Sequence, residues 1–105
     1  MEVAGILRRV AGEGGFATVI RKGDKERGSL FLLVSCRGMH VACLERVLNF
    51  DGSYRWERSG PTDSASSLEI ADFLARRARF DEDYWAIELD IADPERFIAE
   101  TTSAG

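Results

Sequence analysis

The segment Phe16-Ala-Thr-Val-Ile-Arg-Lys-Gly-Asp-Lys-Glu-Arg-Gly-Ser-Leu-Phe-Leu-Leu-Val-Ser-Cys36 decides how the rest of the chain is read. Two apolar runs, residues 16–20 and 30–34, flank a polar link over residues 23–28 with glycine at both ends. That pattern predicts a β-hairpin with a loop longer than two residues. The second run is the most apolar in the protein, so it is expected to be the central strand, covered on both faces.

Working outward, the chain supplies the cover. Val3, Ile6, Leu7 and Val10 recur at the spacing of an amphipathic helix stripe, which Gly12, Gly14 and Gly15 end. After the hairpin, Arg37-Gly38 reads as a two-residue turn that places Leu30, Leu32, Val34 and Cys36 on one face with Met39, Val41 and Cys43. Asp51-Gly52 reads as a type I′ turn, pairing Asn49 with Tyr54, Val47 with Trp56, Arg46 with Glu57 and Glu45 with Arg58. The last two pairs oppose unlike charges, which favours that register. The expectation is a four-stranded antiparallel meander.

A breaker over residues 59–64 precedes Ser66-Ser67-Leu68-Glu69, which has the spacing of a helix capping box. The helix is expected to run to about residue 79 and to bury Ile70, Phe73, Leu74 and Ala78, with Arg76, Arg77 and Arg79 favoured at its carbonyl end. Trp85, Ile87, Leu89 and Ile91 then alternate with Ala86, Glu88 and Asp90, a half-buried strand expected at the sheet edge. Asp93-Pro94 opens a short last helix containing Phe97 and Ile98. The fold class is therefore α+β: an N-terminal helix, a four-stranded antiparallel meander, an amphipathic helix, a further edge strand and a short C-terminal helix. Residues 1–100 form one domain, and residues 101–105 are expected to be a frayed tail.

At 105 residues, 45% hydrophobic and 30% charged, the composition is that of an ordinary globular domain, long enough to bury a core without disulfides or metals. No apolar run approaches membrane-spanning length, and the opening residues lack the pattern of a secretory signal, so a cytoplasmic location with no membrane partner is expected. The net charge of −4 argues against nucleic acid as a partner. Charge is uneven: residues 1–60 hold 10 basic and 7 acidic side chains, residues 61–105 hold 4 and 11. Twelve arginines against two lysines also admit planar recognition of carboxylate or phosphate.

Three segments carry a resemblance to a known family. They are Leu7-Arg8-Arg9, residues 15–28 with Arg21-Lys22-Gly23-Asp24 at the centre, and residues 77–88 with the pattern Arg79-x-Asp81-x-Asp83-x-Trp85-x-x-Glu88. On these the chain resembles the bacterial domain-of-unknown-function family 1491. Where the family pattern has Phe-Asp-Pro-Asp-Leu-Trp, this chain has Phe80-Asp81-Glu82-Asp83-Tyr84-Trp85, and the missing proline leaves the acidic loop less rigid. The resemblance implies a small cytoplasmic α+β protein and brings no activity, ligand or catalytic residue.

Candidate binding residues are Arg8, Arg9, Arg21, Lys22, Arg79, Asp81 and Asp83. Adjacent Arg8 and Arg9 lie off the apolar stripe, where they either bind an anion or pair with the acidic half. Arg21-Lys22-Gly23-Asp24 could offer cations and backbone N–H groups to a phosphate, although it has neither the P-loop nor the dinucleotide-binding pattern. The 81–83 carboxylates could hold a divalent cation or act as a base, against the simpler reading of salt bridges to Arg76, Arg77, Arg79 or the Arg8-Arg9 pair.

Cys36, His40 and Cys43 are too few and wrongly spaced for structural zinc. The hairpin register separates the cysteines by about 13 Å, beyond disulfide reach, and turns His40 to the other face. Tyr54-Arg55-Trp56 with Arg58 interleaves aromatic and basic residues, but Trp56 is expected in the core.

No catalytic constellation, metal site or cofactor is expected. The reading is a binding, regulatory or adaptor module without catalysis, which grips a protein or small anionic ligand through an arginine-lined face or the free strand edge near residues 54–58. An exposed sheet edge also admits a homodimer. The alternative is a small metal-dependent enzyme handling phosphoesters or nucleotides with Asp81, Asp83 and nearby arginines.

Overall fold

The computed structural model describes residues 2–24 and 29–103, with side chains from residue 4 onward. The Val3 member of the helix stripe, most of the link over residues 23–28 and the last two residues of the tail lie outside the described residues.

Eight elements follow one another: α1 (Glu2–Gly12), β1 (Phe16–Arg21), β2 (Leu30–Cys36), β3 (Met39–Leu48), β4 (Tyr54–Arg58), α2 (Ser67–Ala78), β5 (Trp85–Asp90) and α3 (Pro94–Thr102). The α+β class holds, and β2, β3 and β4 form the antiparallel meander expected of them. The complete sheet has the order β1-β5-β2-β3-β4. β1 therefore does not pair with β2 as the hairpin reading required, and β5 is an inner strand, antiparallel to β1 and parallel to β2.

The cause lies in what β2 needs on each side. Residues 30–35 of β2 are all buried, so both neighbours must contribute apolar side chains to both faces. β5 does so with Trp85, Ala86, Ile87 and Leu89, all buried, whereas residues 16–20 of β1 are all exposed. Exchanging β1 and β5 would leave more of that apolar surface in water.

Helices cover both faces. On one, Val10 of α1 and Phe97 and Ile98 of α3 close over Leu32, Val34, Leu44, Trp56, Ile87 and Leu89. On the other, α2 lays Leu74, with half-buried Ile70, Phe73 and Ala78, over Phe31, Leu33, Cys43, Tyr84 and Ala86. Phe31 meets the rings of Phe73 and Tyr84 edge-on, at 5.5 and 6.0 Å. The helix starts are capped as the sequence predicts: Ser66 accepts the Glu69 N–H, and Asp93 accepts the Arg96 N–H ahead of Pro94.

Two register details differ from expectation. Arg37 and Gly38 form the predicted turn, with φ of 53° and 80°, and Cys36 pairs with Met39. A bulge at Val41 then shifts the pairing, so that Leu33 opposes Cys43 and Leu32 opposes Leu44. Cys43 thereby moves to the α2 face, away from Leu32 and Val34.

At the next turn Gly52 has positive φ and Asp51 does not, so the connection is a three-residue loop closed by Gly52 N–H to Asn49 O and Asn49 N–H to Ser53 O. Leu48 pairs with Tyr54 and Glu45 with Glu57, one residue out of the charge-matched register. The like charges are tolerated because Glu45 is bonded to Arg77 of α2 and Glu57 to Arg55.

Candidate functional site

Four of the seven candidate residues meet at one end of the sheet, where β1 finishes and β5 begins. Arg21 bonds the Glu82 carbonyl, and its guanidinium lies 4.6 Å from the centroid of the Tyr84 ring. Its Nε is buried without a hydrogen-bond partner. Tyr84 is anchored in turn by donating its hydroxyl to Leu74 O at 3.3 Å.

Asp81 works as a loop staple. One carboxylate oxygen accepts the Ser29 N–H at 2.8 Å, and the other accepts the Asp83 N–H at 3.0 Å. Partial burial alone would raise its pKa, but these N–H groups and the nearby Arg77 charge outweigh that effect and hold the carboxyl below its ordinary value. Asp83 and Lys22 are exposed beside it. The expected ion pairs go elsewhere: Arg77 takes Glu45, Arg76 takes Asp72 at 2.9 Å, and the Arg79 side chain is exposed at the end of α2.

The chain between these groups is drawn in tightly. Asp24 donates its N–H to Asp83 O at 3.1 Å, and the Trp85 indole donates to Asp24 O at 2.9 Å. These contacts fix the exit of β1 against the entry of β5, over 61 residues of sequence.

Arg8 and Arg9 do not join this cluster. Arg8 is exposed on α1, and Arg9 ties α1 to α3 through Glu100 at 3.0 Å while lying over the Phe97 ring at 4.4 Å. This is the pairing with the acidic half weighed from the sequence.

The thiols and the histidine serve the core. Cys43 is buried, and burial, followed by the Glu45 charge, pushes its pKa up to about 12. His40 shares the α2 face with Cys43, because it opposes Ser35 beyond the bulge, and its Nε2 is 3.0 Å from Pro61 O. Cys36 is half-buried near Ala92 O. Among the described residues, no group of three or more His, Cys, Asp or Glu side chains is placed to hold a metal ion. Trp56 is buried as expected, and Arg46 lies over the Tyr54 ring at 4.4 Å.

The feature that sequence reasoning missed is the β1 edge. Phe16, Val19 and Ile20 are 76%, 45% and 48% exposed, and β1 has a neighbour on one side only. The signal was present in Phe16-Ala17-Thr18-Val19-Ile20, five residues without a charge, but the assumed hairpin gave that strand a partner it does not have. The opposite edge, β4, carries Arg55, Glu57 and Arg58 in five residues, the usual charge protection of a free edge.

Comparison with known proteins gives a family without an assigned role. The family model described as "Protein of unknown function (DUF1491)" matches residues 1–99. A solution structure of a family member from Caulobacter crescentus CB15 superposes with a TM-score of 0.70 at 31% identity, covering 88% of this chain and 83% of that one. A crystal structure of a family protein from the same bacterium gives 0.66 at 31% identity, covering 85% and 82%. A solution structure of a protein from A. tumefaciens gives 0.71 at 29% identity, covering 84% and 80%. No curated protein matches. The chain belongs to the DUF1491 family of proteins of unknown function.

Proposed function

We propose that this is a cytoplasmic binding or regulatory module without catalysis, and that its docking element is the outer edge of β1. The observation that carries the reading is the exposure of Phe16, Val19 and Ile20 on a strand with one neighbour. An added strand would bond to the free backbone groups of that edge and cover its side chains. The contrast with the charged β4 edge supports the same choice.

The enzyme alternative has less support, because both Asp81 oxygens already accept backbone N–H groups and the loop carboxylates do not converge on a common point. Arg9 is likewise engaged with Glu100, which lowers its value as an anion receptor.

The test is capture of partners with the tagged protein, alongside Val19→Glu and Arg8→Ala/Arg9→Ala, followed by cross-linking from residues 16–20. The expected result is a partner kept by the arginine variant, lost by Val19→Glu and cross-linked to β1. A partner that survives Val19→Glu and needs Arg8 and Arg9 overturns the reading.

A further inference from the structure

Resting on that reading, we infer that the strand occupying the β1 edge is β1 of a second copy, antiparallel to the first, so that two five-stranded sheets join into one of ten strands. The argument begins with charge. The Phe16 end of β1 is flanked by acidic groups, Glu13 in the turn before it and Asp90 directly opposite on β5. The other end carries Arg21 and then exposed Lys22. Antiparallel pairing of two copies sets each acidic end beside the partner's basic end, and parallel pairing would set like against like. The strand is thus complementary to itself in one orientation.

The side chains agree. Between the charged ends lie only Phe16, Ala17, Thr18, Val19 and Ile20, none of them buried by the chain's own helices. Phe16 and Thr18 project on the α2 side, opposite Asp90 and Glu88, while Ala17 and Val19 project on the α1 and α3 side, opposite Leu89 and Ile87. A second β1 would supply apolar neighbours on both sides. The bulge at Ile20 limits the regular pairing to a few residues. So short a contact belongs with small interfaces of under about 1,200 Å², and the dimer is accordingly reversible and concentration-dependent.

Sedimentation equilibrium over a range of protein concentrations tests this with three variants, all at exposed positions. The unaltered protein is expected to pass from the monomer mass to twice that mass as concentration rises. Val19→Glu places a charge in the apolar stretch and is expected to weaken the dimer at least tenfold. Lys22→Glu is expected to weaken it several-fold, and Glu13→Lys/Lys22→Glu to recover most of the loss. A circular dichroism spectrum and melting curve like those of the unaltered protein show that each variant is folded. A monomer at every concentration overturns the inference, as does a dimer indifferent to Val19→Glu. If the protein is monomeric while partner capture still depends on Val19, self-pairing falls and the docking edge stands. If capture is also indifferent to Val19, both fall.

Discussion

Gly23 lies directly against the carbonyl of Asp83, so close that a Cβ on Gly23 would fall inside the space of that oxygen. The approach seats the Asp24 N–H on Asp83 O and brings Asp24 O to the Trp85 indole. Gly23→Ala must open this contact and lose both hydrogen bonds, each worth about 1 kcal/mol. We expect a loss of about 2 kcal/mol, and a melting temperature lower by roughly 10 °C for a domain of this size. Thermal unfolding of the variant beside Gly12→Ala, where a Cβ meets open space, checks it.

The second expectation concerns acid. The Asp81 carboxyl is held below its ordinary pKa of 3.8, so the unfolded chain binds its proton more readily than the folded one. Its stabilising effect is full above the unfolded pKa and is lost as pH falls through the lower folded value. Urea unfolding from pH 6 down to about pH 2.5 should show stability falling along an acid limb, and Asp81→Asn should make that limb shallower. Asp51, whose pKa is lowered mainly by the Ser53 hydroxyl, contributes in the same direction and remains in the variant. An unchanged limb in Asp81→Asn would remove the staple from the account.

Much of this architecture is legible in the sequence because it is local. The Ser66 and Asp93 caps, the α1 stripe and the Arg37-Gly38 turn each lie within one short window and each appears in the structure. The place of β5 is not legible in that way, since it pairs with β2 in parallel and leaves no turn to read. Residues 16–20 looked like the natural hairpin partner, and only the comparison of buried with exposed residues reverses the choice. Bulges have the same effect on register: one extra residue at Val41 moves Cys43 to the opposite face. At the candidate site the charged residues were identified correctly, but their partners were not. Ser29, 52 residues from Asp81, offers only a backbone N–H, which no side-chain pattern encodes.

The two thiols should separate cleanly. Cys43 is buried among Phe31, Leu33 and Leu74, with its pKa raised to about 12, so almost no thiolate forms at pH 8. Cys36 lies at the end of β2, half-buried. A disulfide reagent at pH 8 is expected to titrate one thiol quickly in the folded protein and both in urea, with the slow thiol reacting only as fast as the chain opens. Cys36→Ser should abolish the fast phase, and its survival would show that Cys43 is accessible.

The β2–β3 turn gives the last prediction. Arg37 has φ of 53°, a conformation that a long L side chain adopts at a cost of roughly 1–2 kcal/mol, and Gly38 follows at 80°. The turn survives because Asp90 of β5 accepts both of its N–H groups, Arg37 through one carboxylate oxygen and Gly38 through the other, each at 2.9 Å. Asparagine adopts positive φ far more readily, and Asn-Gly is the favoured pair for this turn type. Arg37→Asn should therefore raise stability by about 0.5–1 kcal/mol, because the backbone stays where it is and the Arg37 side chain is exposed. Asp90→Ala should act in the opposite direction, since two turn N–H groups lose a charged acceptor, at about 2 kcal/mol or more. The double variant separates strain from capping: if Arg37→Asn stabilises as much without Asp90 as with it, the gain comes from backbone strain at residue 37. If its effect disappears, the turn conformation is imposed by Asp90, and the strain account fails.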